Sequence, residues 1–203
     1  MKVPFSQQDL AFITEAAHWR HNNNRRRGST HKFGFNGGKG AQQQIDVQGV
    51  AGEYAVARHL GLPWEPHARD ESREDRDVGE DIQVRATTAW RNLLLHDEDR
   101  DWQRFVLVWL DDESADLKGW IYGRQAKTPG LWKELVPGRP CYVYSWKDLR
   151  SMSTLTPLPS DTPVYEVPQL MDHHDECIHI NANHDSHGCL VPDCDCQWHW
   201  SFE

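Results

Sequence analysis

Arg104–Asp111, read RFVLVWLD, is the clearest buried strand in the chain. Its apolar residues are consecutive, β-branched and aromatic types are well represented, and acids close it. Leu117–Gln125, LKGWIYGRQ, reads as another strand, and the acidic turn between the two favours antiparallel pairing. Such a pair commits the chain to a sheet, around which every other segment has to be placed.

Asp77 to Thr88, DVGEDIQVRATT, is the second constraint. Ile82, Val84 and Ala86 alternate with Gln83, Arg85 and Thr87, the period-2 pattern of a half-buried strand. Gln83 and Arg85 then share one face, and Asp77 enters from the loop or short strand before it. An acid, a second oxygen donor and a cation converging at one sheet face can hold a divalent metal beside a phosphate.

The flanking segments supply helices. Ser6 is suited to cap a helix over 6–21, with Leu10, Ile13 and Ala17 on its apolar face. The stretch HNNNRRRGSTHKFGFNGGKG then reads as a loop. No acid lies between Glu15 and Asp46, whereas Arg20, Arg25, Arg26, Arg27, Lys32 and Lys39 are basic, and Phe33 and Phe35 sit among them. Cations interleaved with aromatics suit a nucleic-acid backbone with base stacking. A second helix is expected from Ile45 to Leu60, stopped by Gly61 with Pro63 beyond. Glu53 lies among Ala51, Gly52 and Ala55, and taken alone it reads as a surface helix carboxylate. Gly52 weakens the helix but permits close packing against a sheet.

Residues 69–81, dense in charge, read as a solvated loop. Leu93–His96 is a short strand or a continuation of the one before, Leu131–Leu135 a helical turn, Pro140–Trp146 a strand, and Lys147–Ser151 the start of a short helix. This order gives an α/β (α+β) fold with a mixed central sheet flanked by helices. The divisions are an N-terminal helix and basic loop over 1–44, the α/β core over 45–150, a Pro-rich connector over 151–171 and a Cys/His-rich segment over 172–203.

Charge follows the same division. Residues 151–203 hold nine acids and no Lys or Arg, so the net charge of −9 belongs to them. The preceding 150 residues balance 22 basic against 22 acidic side chains, and the acidic total does not exclude a nucleic-acid partner. No run of about 18 apolar residues marks a membrane span, and MKVPFSQQDL lacks the apolar centre of a signal peptide. A cytoplasmic, reducing setting with no membrane partner is the expectation.

GVAGEYAVARHLGL, DVGEDIQVR, RFVLVWLD and LKGWIYGRQAK together resemble the core of the PD-(D/E)xK nuclease superfamily, the restriction-endonuclease-like fold, over about residues 45–150. The resemblance implies a magnesium- or manganese-dependent nuclease acting on DNA. It implies Glu53 as the helix acid, Asp77 as the metal-bridging acid, Gln83 at the acidic strand position, Arg85 at the lysine position, and the Val84 carbonyl as a further ligand. Two positions depart from the family pattern. Gln83 is neutral, though its amide oxygen can still ligate, and Arg85 stays protonated, so it can clamp a phosphate but not act as a base. Lys118 and Lys127 are the candidate replacements for the missing lysine. By analogy with such nucleases, a homodimer is expected, because two strands need two sites. The alternative is a catalytically degenerate nuclease fold that binds nucleic acid or another protein.

Residues 172–203 hold six of the twelve His and four of the five Cys. In a reducing compartment such a cluster points to zinc rather than to disulfides. Cys177, Cys189, Cys194 and either Cys196 or His199 make one ligand set, with His179, His184 and His187 as rivals.

Overall fold

The computed structural model describes residues 1–26, 39–66, 76–89, 91–158, 184–185 and 188–189. They fall into two units, Met1–Ser160 and Asp161–Glu203. In order, the first contains β1 (Lys2–Pro4), α1 (Gln7–Arg26), α2 (Lys39–Leu60), β2 (Ile82–Thr87), β3 (Leu93–Leu95), β4 (Arg104–Leu110), β5 (Ser114–Tyr122), α3 (Gly123–Ala126), β6 (Trp132–Val136) and β7 (Arg139–Tyr144).

The expected strand pair is the centre of this unit. β4 and β5 are antiparallel, β1 adds to the far side of β5, and β2 runs parallel to β4. The four-stranded sheet has the order β1-β5-β4-β2 and is mixed, and a second antiparallel sheet has the order β3-β7-β6. Every residue of β4 is buried, because its two faces meet different layers. Val106, Val108 and Leu110 join Ile13, Ala17, Val50 and Val56 from the helices, while Phe105, Leu107 and Trp109 join Leu93, Leu95 and the β7 tyrosines. The layers are helices, mixed sheet, small sheet.

Local chemistry explains the helix ends. Ser6 Oγ accepts the Asp9 N–H at 3.1 Å and Asp9 Oδ2 accepts the Ser6 N–H at 2.7 Å, a reciprocal cap. Gly61, at φ +66°, closes α2: its N–H reaches the Arg58 carbonyl and the Leu62 N–H reaches that of Ala57. Both helices are longer than the sequence suggests. α1 runs on through Asn22–Arg26, with Asn23 Nδ2 donating to the Trp19 carbonyl at 2.8 Å and two arginines facing the negative helix end. α2 starts at Lys39 rather than Ile45. Gly52 is where α2 meets the sheet: a Cβ there would lie 2.6 Å from the Ala86 Cβ and 3.2 Å from Val84 Cγ1.

Four expectations need correction. Trp132–Val136 is a strand, paired antiparallel with β7, because that partner overrides an ambiguous short apolar run. The strand from Leu117 stops at Tyr122, and Gly123–Ala126 is a short helix. Asp81 is not solvated: Arg104 Nε and Nη2 each donate to its carboxylate at 2.5 Å, with both side chains about 5% exposed or less. The connector does not begin at 151, since Met152 and Leu155 lie in the helix-side core and Trp120 Nε1 donates to the Ser151 carbonyl. Apolar side chains at 152 and 155 tie this stretch down despite the prolines that follow.

Among the described residues no helix is long and apolar enough to cross a membrane. In the second unit, β8 (His184–Asp185) pairs antiparallel with β9 (Gly188–Cys189), which sets His184 opposite Cys189. Cys177, Cys194, Cys196, His199, His179 and His187 lie outside the described residues.

Candidate active site

β2 is the last strand of the mixed sheet, so one of its edges faces away from β4. Its start is folded over by a small turn, in which Val78 and Ile82 exchange backbone hydrogen bonds and the Asp77 N–H reaches the Ile82 carbonyl at 2.9 Å. This turn carries Asp77 to the open edge, where its Oδ2 accepts the Val84 N–H at 2.8 Å. In an extended strand the N–H and C=O of one residue point the same way. The Val84 carbonyl therefore faces the same edge as Asp77.

The expected convergence on one sheet face does not occur. Val84 and Ala86 face α2, as their approach to Gly52 shows, and α2 carries Glu53. Gln83 and Arg85 lie together on the opposite face, where Arg85 Nη1 donates to Gln83 Oε1 at 3.2 Å and the guanidinium covers Phe105 at 5.3 Å. Asp77 stands at the edge between them and feels charge from both sides. The alternation that puts Gln83 and Arg85 together also separates them from the helix, a consequence of period 2.

Glu53 is not a surface carboxylate. It is 5% exposed, and Arg20 holds it bidentately, Nη1 to Oε1 at 2.7 Å and Nη2 to Oε2 at 2.5 Å. Beside this pair, His21 Nδ1 lies 2.7 Å from Asp46 Oδ2. Burial opposes the Arg20 charge, but the Glu53 hydrogen bonds and the Glu53, Asp77 and Asp46 charges outweigh it and hold the guanidinium above its ordinary value. Asp77 shows the reverse. Burial, then the nearby Glu53 charge, raise its carboxyl from 3.8 to about 6, against the Val84 N–H, Arg85 and Arg20. The residue keeps partial solvent access at the strand edge, yet its carboxylate is densely enclosed by protein.

Arg85 is tied from a second direction. Its Nη2 donates to Asp99 Oδ1 at 2.7 Å, and Asp99 Oδ2 accepts the His96 N–H at 2.9 Å. Neither replacement lysine takes its place. Lys118 pairs with Asp116 and sits against Trp109 and Trp146, at 4.2 and 4.7 Å from the ring centres. Lys127 donates to the carbonyls of Asp97 and Asp99, on the turn whose Asp99 carboxylate holds Arg85.

Oxygen donors of the kind a hard dication prefers are present: two carboxylates, the Gln83 amide and the Val84 carbonyl. Burial, and after it the Glu53 charge, hold a proton on Asp77 well above the ordinary carboxylate range. Among the described residues no group of three or more His, Cys, Asp and Glu is arranged to hold a metal, so any cation here leans on carbonyl and water oxygens.

Sequence reasoning missed Arg20, Asp99 and Asp46. For Arg20 a signal existed: Ile13, Ala16, Ala17 and Arg20 continue one buried stripe of α1 at helical spacing. Of the basic residues singled out, Arg25 and Arg26 are exposed on the last turn of α1, Lys39 opens α2, and Arg27 and Lys32 lie outside the described residues. Comparison with protein-family models, with curated proteins and with solved structures finds no match.

Proposed function

We propose that the chain is a magnesium- or manganese-dependent nuclease that hydrolyses phosphodiester bonds in DNA, on a restriction-endonuclease-like core. The observation that carries this reading is a carboxylate at the open edge of β2, Asp77 on the Val84 N–H, beside the buried Glu53 of α2. Two acids that feel each other's charge, each near an arginine, favour a site for a cation and an anionic substrate together.

Glu53, Asp77 and the Val84 carbonyl would hold the metal, while Gln83, on the opposite face beside Arg85, would not reach an ion bound by Glu53. When bound, a divalent ion supplies charge stabilisation at the phosphate and a water of lowered pKa. The chain's own residues do the rest. Val84 N–H fixes the rotamer of Asp77. Arg85, oriented by Asp99 and Phe105, offers a fixed guanidinium that can stabilise charge on a phosphate but cannot take a proton. Arg25 and Arg26, with Arg27, Lys32 and Lys39, would grip the backbone of the substrate.

The test is incubation of the full chain with plasmid, single-stranded and branched DNA, and RNA, in magnesium or manganese, beside Asp77→Ala. Cleavage of at least one DNA substrate, reduced about a hundredfold or more in the variant, is the expected result. No cleavage of any substrate favours a second reading, a nuclease-like binding module. The pairing of Arg20 with Glu53 and of Arg85 with Asp99 speaks for it, since these site charges are matched within the chain. On either reading we propose zinc for residues 172–203, where the register of β8 and β9 sets two candidate ligands opposite each other.

A further inference from the structure

Residues 132–140, from β6 into the start of β7, are exposed throughout, and none of them enters either hydrophobic core. β6 is also the outer strand of its sheet, so burial does not hold this hairpin. Local contacts do. β6 and β7 pair antiparallel, the Trp132 and Tyr142 rings meet at 4.6 Å between centroids, and the Gly138 N–H donates to Glu134 Oε1. Pro137 and Gly138 make the turn between Val136 and Arg139, with Gly138 at φ +74°, a conformation glycine adopts without strain.

The side chains on this ordered but unburied arm are of two kinds. Leu135 and Val136 are more than half exposed, and Leu135 is the extra residue of a bulge between Glu134 and Val136. A bulge re-aims the side chain it carries. With Pro137 these residues give the arm an apolar tip. Lys133 and Arg139 stand on either side of it, also exposed. Between Gly123 and Lys147 five basic residues, Arg124, Lys127, Lys133, Arg139 and Lys147, face the single acid Glu134, in a chain of net charge −9. Apolar side chains at a tip with cations beside them are how DNA-bending proteins enter a base step while holding the backbone. A second copy of the arm offers these cations only Glu134, which is turned in on Gly138. The arm also lies on the Arg85 side of the sheet. Tyr142, at its base, donates to Asp97 at 3.4 Å, on the turn whose Asp99 holds Arg85.

Resting on the nuclease reading, we infer that the β6–β7 hairpin is a wedge for duplex DNA: Lys133 and Arg139 take backbone phosphates, and Leu135 and Val136 enter a base step and part it. The substrate class this points to is DNA whose stacking is already interrupted, at a fork, branch or mismatch, where entry costs least. The cations fix the position of the wedge and carry no sequence preference of their own.

The experiment uses the full chain with no divalent ion added, so that binding is read without cleavage. Anisotropy of a labelled forked duplex gives affinity across salt concentrations, and 2-aminopurine at the fork reports unstacking. Wild type should bind the fork and raise the 2-aminopurine signal. Leu135→Ser with Val136→Ser should cut that rise at least about threefold and leave the salt slope as it is. Lys133→Gln with Arg139→Gln should lower the slope of log affinity against log salt by about 2. A serine variant that unstacks the fork as well as wild type, or a glutamine variant with an unchanged slope, overturns the wedge and leaves the nuclease reading standing. So does binding by wild type with no 2-aminopurine rise. No binding of any DNA by wild type overturns both. Sedimentation in which wild type self-associates and the serine variant does not, with DNA binding unaltered, assigns the arm to a second copy and overturns the wedge. Circular dichroism establishes which variants fold; if the serine variant does not, Leu135→Ala with Val136→Ala decides in the same directions.

Discussion

Replacing Asp77 by Asn should make the protein more stable at neutral pH. In the native state Asp77 keeps its proton up to about 6, whereas in the unfolded chain it loses it near 3.8. Between those values unfolding releases a proton, so stability falls as pH rises through that window and is level above it. The gap of about two pH units, at about 1.4 kcal/mol each, makes the ionised Asp77 cost up to about 3 kcal/mol. Partial access to solvent at the strand edge trims this, and a gain of about 1 to 3 kcal/mol is expected for Asp77→Asn at pH 7.5. The amide oxygen of Asn can still accept the Val84 N–H, so the contact itself is kept. Urea unfolding followed by tryptophan fluorescence suits a chain with ten Trp. At pH 3.5 the two proteins should unfold at the same midpoint, and at pH 7.5 the variant should be later. A variant equal to or weaker than wild type at pH 7.5 would refute the idea that Asp77 is held ionised at a cost. A carboxylate that destabilises its own fold is characteristic of a site kept for binding or chemistry.

Two further predictions concern the frame that holds the site. Gly52→Ala places a methyl 2.6 Å from the Ala86 Cβ and should cost about 1–3 kcal/mol in thermal or urea unfolding, by pushing α2 off β2. Asp81→Ala leaves Arg104 charged and buried, and should cost about 3–5 kcal/mol; Asp81→Leu with Arg104→Met should recover most of it, and a double variant as weak as the single one would argue against the pair acting as a unit.

What could be read from the sequence was local. Period-2 alternation located β2, an uninterrupted apolar run located β4, and Gly61 after Leu60 located the end of α2 within a residue. These depend on neighbours a few positions apart, and the structure preserves them. The polar partners could not be read the same way. Arg20 finds Glu53 across 33 residues, Asp81 finds Arg104 across 23, and Arg85 finds Asp99 across 14. Arg20 read as one cation among several, and nothing near Arg85 or Arg104 in sequence named their partners, since only tertiary packing decides which charges meet. That Gln83 and Arg85 share a face was legible, but that Glu53 docks against the other face was not, because alternation alone does not say where the helix docks.

The parallel pairing of β2 sets how the site edge opens. β4 and β5 meet through a tight acidic turn, but β2 reaches β4 only through the sixteen residues of 88–103, which detour through β3. β2 also has a ladder on one side, where β4 has two. Detaching it breaks one ladder rather than two and regains the entropy of a closed loop. Asp81–Arg104 fastens the entry of β2 to the start of β4, and Arg85–Asp99 fastens its middle to the detour. These ion pairs work as latches on a segment that would otherwise breathe ahead of the rest. Loosening either one should let the amides of β2 exchange with solvent before those of β4.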